Sequence, residues 1–133
     1  MTALSTFAEL KVLDLLFKNT SYSAPNAYIG LFSTDPTDSA SGTELSGNGY
    51  ARIQIDNKMS SATSGADNSS ITNSSQINFA TSTGDWDTVT HIGIFDAISS
   101  GNLLAHGALV DSAEVDASDV FAIQVGKLVI NID

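Results

Sequence analysis

The side chains with the widest chemical reach in this sequence are two histidines, His91 and His106, set among fifteen acids. A neutral imidazole ligates metals and titrates near physiological pH, so a pair on one surface could hold an ion or make a pH-sensitive contact. The runs around them, Val89 to Phe95 and Leu103 to Leu109, are rich in β-branched and large apolar residues, and Asp96 to Asn102 between them is a cluster of turn formers. A hairpin centred near Ile98 and Ser99 places His91 and His106 almost opposite each other on one face. Asp85, Asp87 or Asp96 could be recruited as a third ligand, but no metal-site spacing is present, and a hydrogen-bonded structural pair is the plainer reading.

The other candidates for chemistry are thinner. Asp111, Glu114, Asp116 and Asp119 suggest calcium ligands, yet the loop glycine and closing bidentate Glu of an EF-hand are missing, which leaves a solvated acidic linker. Gly47-Asn48-Gly49 resembles a phosphate loop only superficially, since no helix N-terminus follows to hold an anion. It reads as hairpin or bulge glycine. There is no cysteine, so thiolate chemistry and disulfides are absent, and no Gly-x-Ser-x-Gly elbow follows a strand. The expectation is a protein that is not an enzyme and uses no cofactor or metal.

The elements that carry these residues are mostly strands. Ala27 to Phe32 is apolar on both faces and is expected to be central. Tyr50 to Ile55 alternates, with Ala51, Ile53 and Ile55 facing in and Tyr50, Arg52 and Gln54 facing out. Asn57 to Ser75, anchored only by Met59 and Ile71, is expected to be a mobile excursion or weak edge ribbon. Gln76 to Ala80, Val120 to Val125 and Lys127 to Ile132 supply further strands. Gly93 and Gly107 interrupt the hairpin, marking bulges or a close approach by a large ring, with Trp86 the expected ring. The fold class is mainly β: an antiparallel β-sandwich or jelly-roll-like barrel of about seven strands with one N-terminal α-helix, in a single domain over residues 1–133. No repeat, heptad array or Gly-x-y triplet of a fibre shaft is present.

The helix spans Thr6 to Lys18, opening on a Thr6/Glu9 capping-box pattern. Lys11, Asp14 and Lys18 form a narrow polar stripe, while apolar residues cover most of the remaining circumference, more than one sheet can bury. Phe7, Leu10, Lys11, Asp14, Phe17 and Lys18, with Met59 and Ile71 from the Ser-rich excursion, are therefore the expected partner interface. Trp86, His91, Gly93, Phe95, His106 and Gly107 form the structural hairpin. Exposed aromatics such as Tyr22, Tyr28, Tyr50 or Trp86 could stack on glycan rings, although Trp86 and Tyr28 read more simply as core.

Asp85-Trp86-x-Thr88-Val89-Thr90-His91-x-Gly93-Ile94-Phe95-Asp96-Ala97, then Gly101-Asn102-Leu103-Leu104-x-His106-Gly107-Ala108-Leu109, resembles small bacteriophage structural proteins labelled tail fibre proteins. The resemblance takes in the opening helix, Tyr28-Ile29-Gly30-Leu31-Phe32 with Asp35-Pro36-Thr37-Asp38, Gly47-Asn48-Gly49-Tyr50-Ala51-Arg52, and the closing Gly126-x-Leu128-x-Ile130-x-Ile132-Asp133. It implies a structural role in the virion after synthesis in the bacterial host cytoplasm.

Charge narrows the partners further. Five basic residues against fifteen acids leave a formal charge of −10, which argues against nucleic acid as a partner. No apolar run approaches the roughly 20 residues of a membrane span, and no secretory signal opens the chain. The size, the absence of fibre repeats and the greasy helix favour a capsid decoration (cement) protein bound over junctions of the major capsid protein. A tail fibre or baseplate-associated domain contacting the host surface is the alternative. A homo-oligomer is expected in either setting, a trimer being one form.

Overall fold

The structure, a computed structural model, describes residues 2–132; Asp133, which ends the closing motif, lies outside them. Among the described residues the chain forms β1 (Thr2–Leu4), α1 (Thr6–Phe17), β2 (Tyr28–Phe32), β3 (Ile53–Gln54), β4 (Thr63–Ser64), β5 (Ser69–Thr72), β6 (Ile77–Asn78), β7 (Trp86–Phe95), β8 (Leu103–Val115), β9 (Ala122–Ile123) and β10 (Val129–Ile132). Every strand pairing is antiparallel. The main sheet has the order β1-β8-β7-β2-β3, and two smaller sheets, β10-β5-β4 and β6-β9, complete the domain. The class is mainly β with an N-terminal helix, in open sheets.

β2 takes the central place its two apolar faces require. It lies between β7 and β3, and its faces feed two cores. Ile29 and Leu31 join Ile55, Ile77, Phe79, Trp86 and Val89 in the larger one, while Phe32 packs with Phe95 and Leu103 in the smaller. At about 25 cal/mol per Å² of apolar area buried, such strands are held by what they cover rather than by their propensity.

The β7–β8 hairpin is the longest pairing, and its turn follows local chemistry. Asp96 accepts through Oδ1 from the Asn102 amide at 2.6 Å and through Oδ2 from the Asn102 side chain at 2.8 Å. Gly101 adopts φ +75°, and its absent Cβ leaves room for the Asp96 carboxylate, which would stand 2.5 Å away. The strands run further than expected, because Trp86 pairs with Val115 and Val89 with Ala113. Residues 111–115, expected in an acidic linker, therefore continue β8, with Ala113 and Val115 turned inward and Ser112 and Glu114 exposed. The alternation was present, but the acids masked it.

Other expectations need correction. About seven strands become ten, since short pairs such as β6–β9 and β4–β5 need only a few ladder bonds. Of the two forms expected for Asn57 to Ser75, a mobile excursion or a weak edge ribbon, the ribbon is present, with β5 paired to β10 as well as β4, and near its end stands Asn73, 1% exposed. The Asn73 side chain donates to the carbonyls of Ser75 and Gln124 at 2.9 Å each and accepts from the Leu128 amide at 2.9 Å, tying three segments together. Val120 and Val125 are exposed, and only Ala122–Ile123 of their expected strand pairs. β1 was not anticipated; three residues show too little periodicity.

Gly93 and Gly107 are not at bulges. They sit in register, opposite His106 and Ile92 respectively. Gly93 does mark a close approach, but the rings are those of Phe32 and Phe95, stacked with centroids 6.0 Å apart. A Cβ on Gly93 would stand 2.9 Å from each ring and 3.1 Å from Leu103. Gly93→Ala is expected to destabilise the domain by about 1–3 kcal/mol through overpacking, measured as a lower midpoint in urea with an unchanged slope.

Candidate functional site

α1 is the element whose surface the fold leaves least satisfied. Its cap is Ser5, whose hydroxyl accepts from the Ala8 amide at 3.2 Å, so the helix begins at Thr6 as expected but is capped one residue before the Thr6/Glu9 box. Ser5 also holds the helix to the sheet: its amide donates to the Leu104 carbonyl at 2.9 Å and its hydroxyl to the Leu103 carbonyl. Beyond that anchor the packing is loose, and no residue of α1 is buried. An isolated 12-residue helix is marginal in water, so its stability depends on what covers it.

Beneath the helix is an apolar cavity of about 440 Å³, open on one side. Phe7, Lys11 and Leu15 line it from the helix, and Met59, Ile71 and Ile94 line it from the sheets. Lys11 lies with its ammonium 5.4 Å from the centre of the Phe7 ring and 5.9 Å from that of Tyr22. Well-packed interiors leave few voids larger than a water molecule, so the helix rests across this space rather than closing it.

The outward arc of α1 is apolar. Leu10, Leu13, Leu16 and Phe17 are exposed, Leu16 at 65% and Phe17 at 81%. The expected interface residues thus divide. Phe7, Lys11, Met59 and Ile71 meet around the cavity, whereas Leu10, Phe17 and Lys18 face out and Asp14 sits half-buried on the flank between. Leu13 and Leu16, outside the expected set, belong with Leu10 and Phe17. The signal was in their spacing.

A second cluster, which sequence reasoning turned the wrong way, is polar and buried. Arg52, expected to face solvent, is 8% exposed. Its Nε and Nη2 donate to the two Glu44 carboxylate oxygens at 2.7 Å each, and Nη1 donates to the carbonyls of Ala97 and Ser100 at 2.9 and 2.8 Å. The guanidinium lies 3.6 Å from the Phe95 ring centre. Tyr50, also expected outward, donates its hydroxyl to Glu44 at 2.8 Å and accepts from the Leu31 amide at 2.9 Å. Burial is the main cause that pushes the Tyr50 hydroxyl well above the ordinary phenol range. Gly30 makes room for the cluster, since a Cβ there would meet the Glu44 carboxylate at 2.6 Å.

The histidines do not form the expected pair. His91 lies opposite Ala108 and His106 opposite Gly93, so they share a face only diagonally, because the turn sits one residue further along than assumed. The Nδ1 atom of His91 is 2.8 Å from the Thr90 hydroxyl, whereas His106 reaches the 35–38 loop, with Nε2 2.9 Å from Asp38 and Nδ1 3.7 Å from Asp35. The four candidate calcium ligands are also separated: Asp111 and Glu114 lie on β8, and Asp116 and Asp119 in the turn after it. That turn is ordered by Ser82, which donates to the Asp116 carbonyl at 2.5 Å and accepts from the Asp119 amide at 3.1 Å. Among the described residues, no three His, Cys, Asp or Glu converge as metal ligands, and no helix is long and apolar enough to cross a membrane.

Trp86 is core, not a glycan platform. It is buried, meets Tyr50 edge-on at 5.5 Å, and donates Nε1 to the Asn48 carbonyl at 3.0 Å. Gly47, Asn48 and Gly49 all adopt positive φ, the turn that aims that carbonyl. Tyr22 is the exposed aromatic of the four.

Fold and surface together define a small antiparallel β-domain with an N-terminal helix seated along one flank. The chain belongs to the Gp80 family, described as podophage GP4 fiber I protein gp80, whose family model matches residues 3–131. It is accordingly a bacteriophage virion structural protein of a fibre-related family. No curated protein was found to match the sequence.

Two outcomes follow from the buried cluster. Arg52→Met leaves the Glu44 carboxylate without its partner and is expected to lower stability by about 3 kcal/mol or more, read from chemical denaturation. For Tyr50 the sign comes from its raised folded-state pKa: above about pH 10 the unfolded chain releases the phenolic proton while the native state retains it. Stability therefore falls with rising pH, by at most about 1.4 kcal/mol per unit from this group. Tyr50→Phe is expected to be less stable at neutral pH, with Leu31 N–H unpaired, and its deficit should shrink between pH 10 and 12 in parallel denaturation series.

Proposed function

We propose that this protein is a non-enzymatic component of the phage tail, a fibre-associated domain built into the particle through α1. The single observation that carries the attachment is the helix itself: no buried residue, a cavity on one side and exposed leucines and Phe17 on the other. A free domain gains nothing from such a surface, whereas a component that is always docked gains the area it covers. The −10 charge lies outside residues 6–18, the helix with its C-cap, because Lys11 and the capping Lys18 offset Glu9 and Asp14. This divides the molecule into a neutral apolar contact face and an acidic body that stays solvated. Synthesis and assembly then take place in the host cytoplasm, and the partners are other virion proteins.

The capsid decoration reading draws on the same helix and on the lack of fibre repeats. The family's description as a fibre protein favours the tail. Many weak copies on a lattice and a few copies on an appendage use the same physics of added contacts, so number in the particle separates the two. Quantitative mass spectrometry of purified virions is expected to find tens of copies or fewer, with labelling confined to the tail. Near-parity with the major capsid protein would replace the tail reading with decoration of the head.

A further inference from the structure

We propose that the cavity beneath α1 binds one molecule of a medium-chain acyl carboxylate, its hydrocarbon chain between helix and sheets and its carboxylate on Lys11. At about 440 Å³ the space falls within the range of small-molecule sites, which are mostly apolar with a few polar groups that set orientation. Its walls have that composition. Leu15 of the helix, Ile94 and Leu104 of the main sheet, and Ile71 and Ile130 of the β5–β10 pair all face it. Helix and sheets bound it together, so unlike the outward arc of α1 it limits the size of what enters. A cavity of roughly 150 Å³ holds one benzene ring, so this one takes an unbranched chain of roughly ten to sixteen carbons.

The polar side chains that line the cavity select the head group. They belong to Lys11, Tyr22, Asp56 and Ser60. Asp56 is already engaged, accepting from the Ala27 amide at 3.1 Å and from the Gln54 side chain at 3.2 Å, and the Ser60 hydroxyl donates to the Ser61 carbonyl at 3.1 Å. Lys11 differs. Its ammonium rests between the rings of Phe7 and Tyr22, which themselves line the cavity, and among the described residues no carboxylate lies within ion-pair distance of it. Cation–π attraction holds the charge at this place while the stem lies along the apolar wall. An apolar interior with one positioned cation is the complement of an acyl carboxylate. A cationic head would meet Lys11 as a like charge, and a hydroxyl would forgo the stronger bond of an ionised pair. The net charge of −10 further selects a dissolved ligand over a membrane. An anionic bilayer surface is repelled by the acidic body, whereas a single amphiphile at physiological salt feels only charges within about 8 Å. The bound chain supplies the inner contacts that α1 lacks and so fixes the helix on its sheets.

Isothermal titration calorimetry of the full chain with decanoate, decanol and decyltrimethylammonium separates chain from head group. Decanoate is expected to bind one per chain, about tenfold more tightly than decanol, and at about 1 mM to raise the Tm by several degrees. The cation should not bind. Lys11→Gln is expected to bring decanoate down to the level of decanol with unchanged far-ultraviolet circular dichroism, and Lys11→Arg to keep the preference. Ala8→Phe, which fills the cavity from the helix side, should abolish binding of decanoate and decanol alike. Decanoate that gives neither a titration signal nor a Tm shift would overturn the site. Equal affinity for decanoate and decanol, or an unchanged preference in Lys11→Gln, would overturn the proposal through its head group. Saturable binding that survives Ala8→Phe in a folded chain would place the ligand outside the cavity and overturn it as well. Phosphatidylglycerol vesicles are expected to leave the chain in solution on sedimentation; retention would replace the dissolved carboxylate with a membrane lipid.

Discussion

The Arg52 guanidinium is the interaction on which the arrangement of the main sheet turns. It stands where three otherwise separate pieces meet: Glu44 in the loop after β2, Phe95 at the end of β7, and the carbonyls of Ala97 and Ser100 in the hairpin turn. A charge this buried is tolerated only when its hydrogen bonds are met and its partner is close. Here the planar fork meets a carboxylate with two donors, two carbonyls with another, and an aromatic face with its plane. The carbonyls of a tight turn have no strand partner to accept from, so Arg52 supplies what the turn lacks. The segment before β3 is thereby locked to the far end of the hairpin.

Small residues make this possible. Gly30 leaves space for Glu44 and Gly101 leaves space for Asp96, while Gly93 admits the two phenylalanine rings below. Tyr50 then closes the cluster, satisfying Leu31 and Glu44 with one hydroxyl and meeting Trp86 with its ring edge. Polar cluster and apolar core are thus one continuous piece, with Tyr50 as the shared wall. By contrast the helix is attached mainly through Ser5 and β1, at one end, and lies over an incompletely filled space. The body is tied together by these contacts and the flank is loosely seated, and surface chemistry divides the same way: acidic on the body, apolar on the flank.

Much of this was legible from residue patterns. The hairpin, its positive-φ glycine, the central β2 and the extent of α1 all follow from local rules, because turn chemistry and alternation act over a few residues. The surplus apolar surface of α1 was legible too, from the count of leucines around its circumference. What misled was the assumption that polar means exposed. Strict alternation points Arg52 and Tyr50 toward solvent, yet the residues between β2 and β3 depart from regular strand geometry, and the phase of alternation is lost with it. Asn73 gave no signal at all, as one asparagine in a polar stretch looks like any other until three segments converge on it.

Sequence alone therefore determined the class of the molecule: mainly β, one helix, no thiol chemistry, acidic, with a helix too greasy for its own sheet. Its motifs also carried the phage structural family. The tertiary structure decided which of those features meet. It separated His91 from His106 by shifting the turn, carried β8 through an acidic stretch, buried Arg52 and left Leu13 in water. The reason is physical. Propensity and periodicity are properties of neighbours along the chain, whereas register, burial of a charge and the filling of a cavity depend on residues tens of positions apart, whose positions only packing sets.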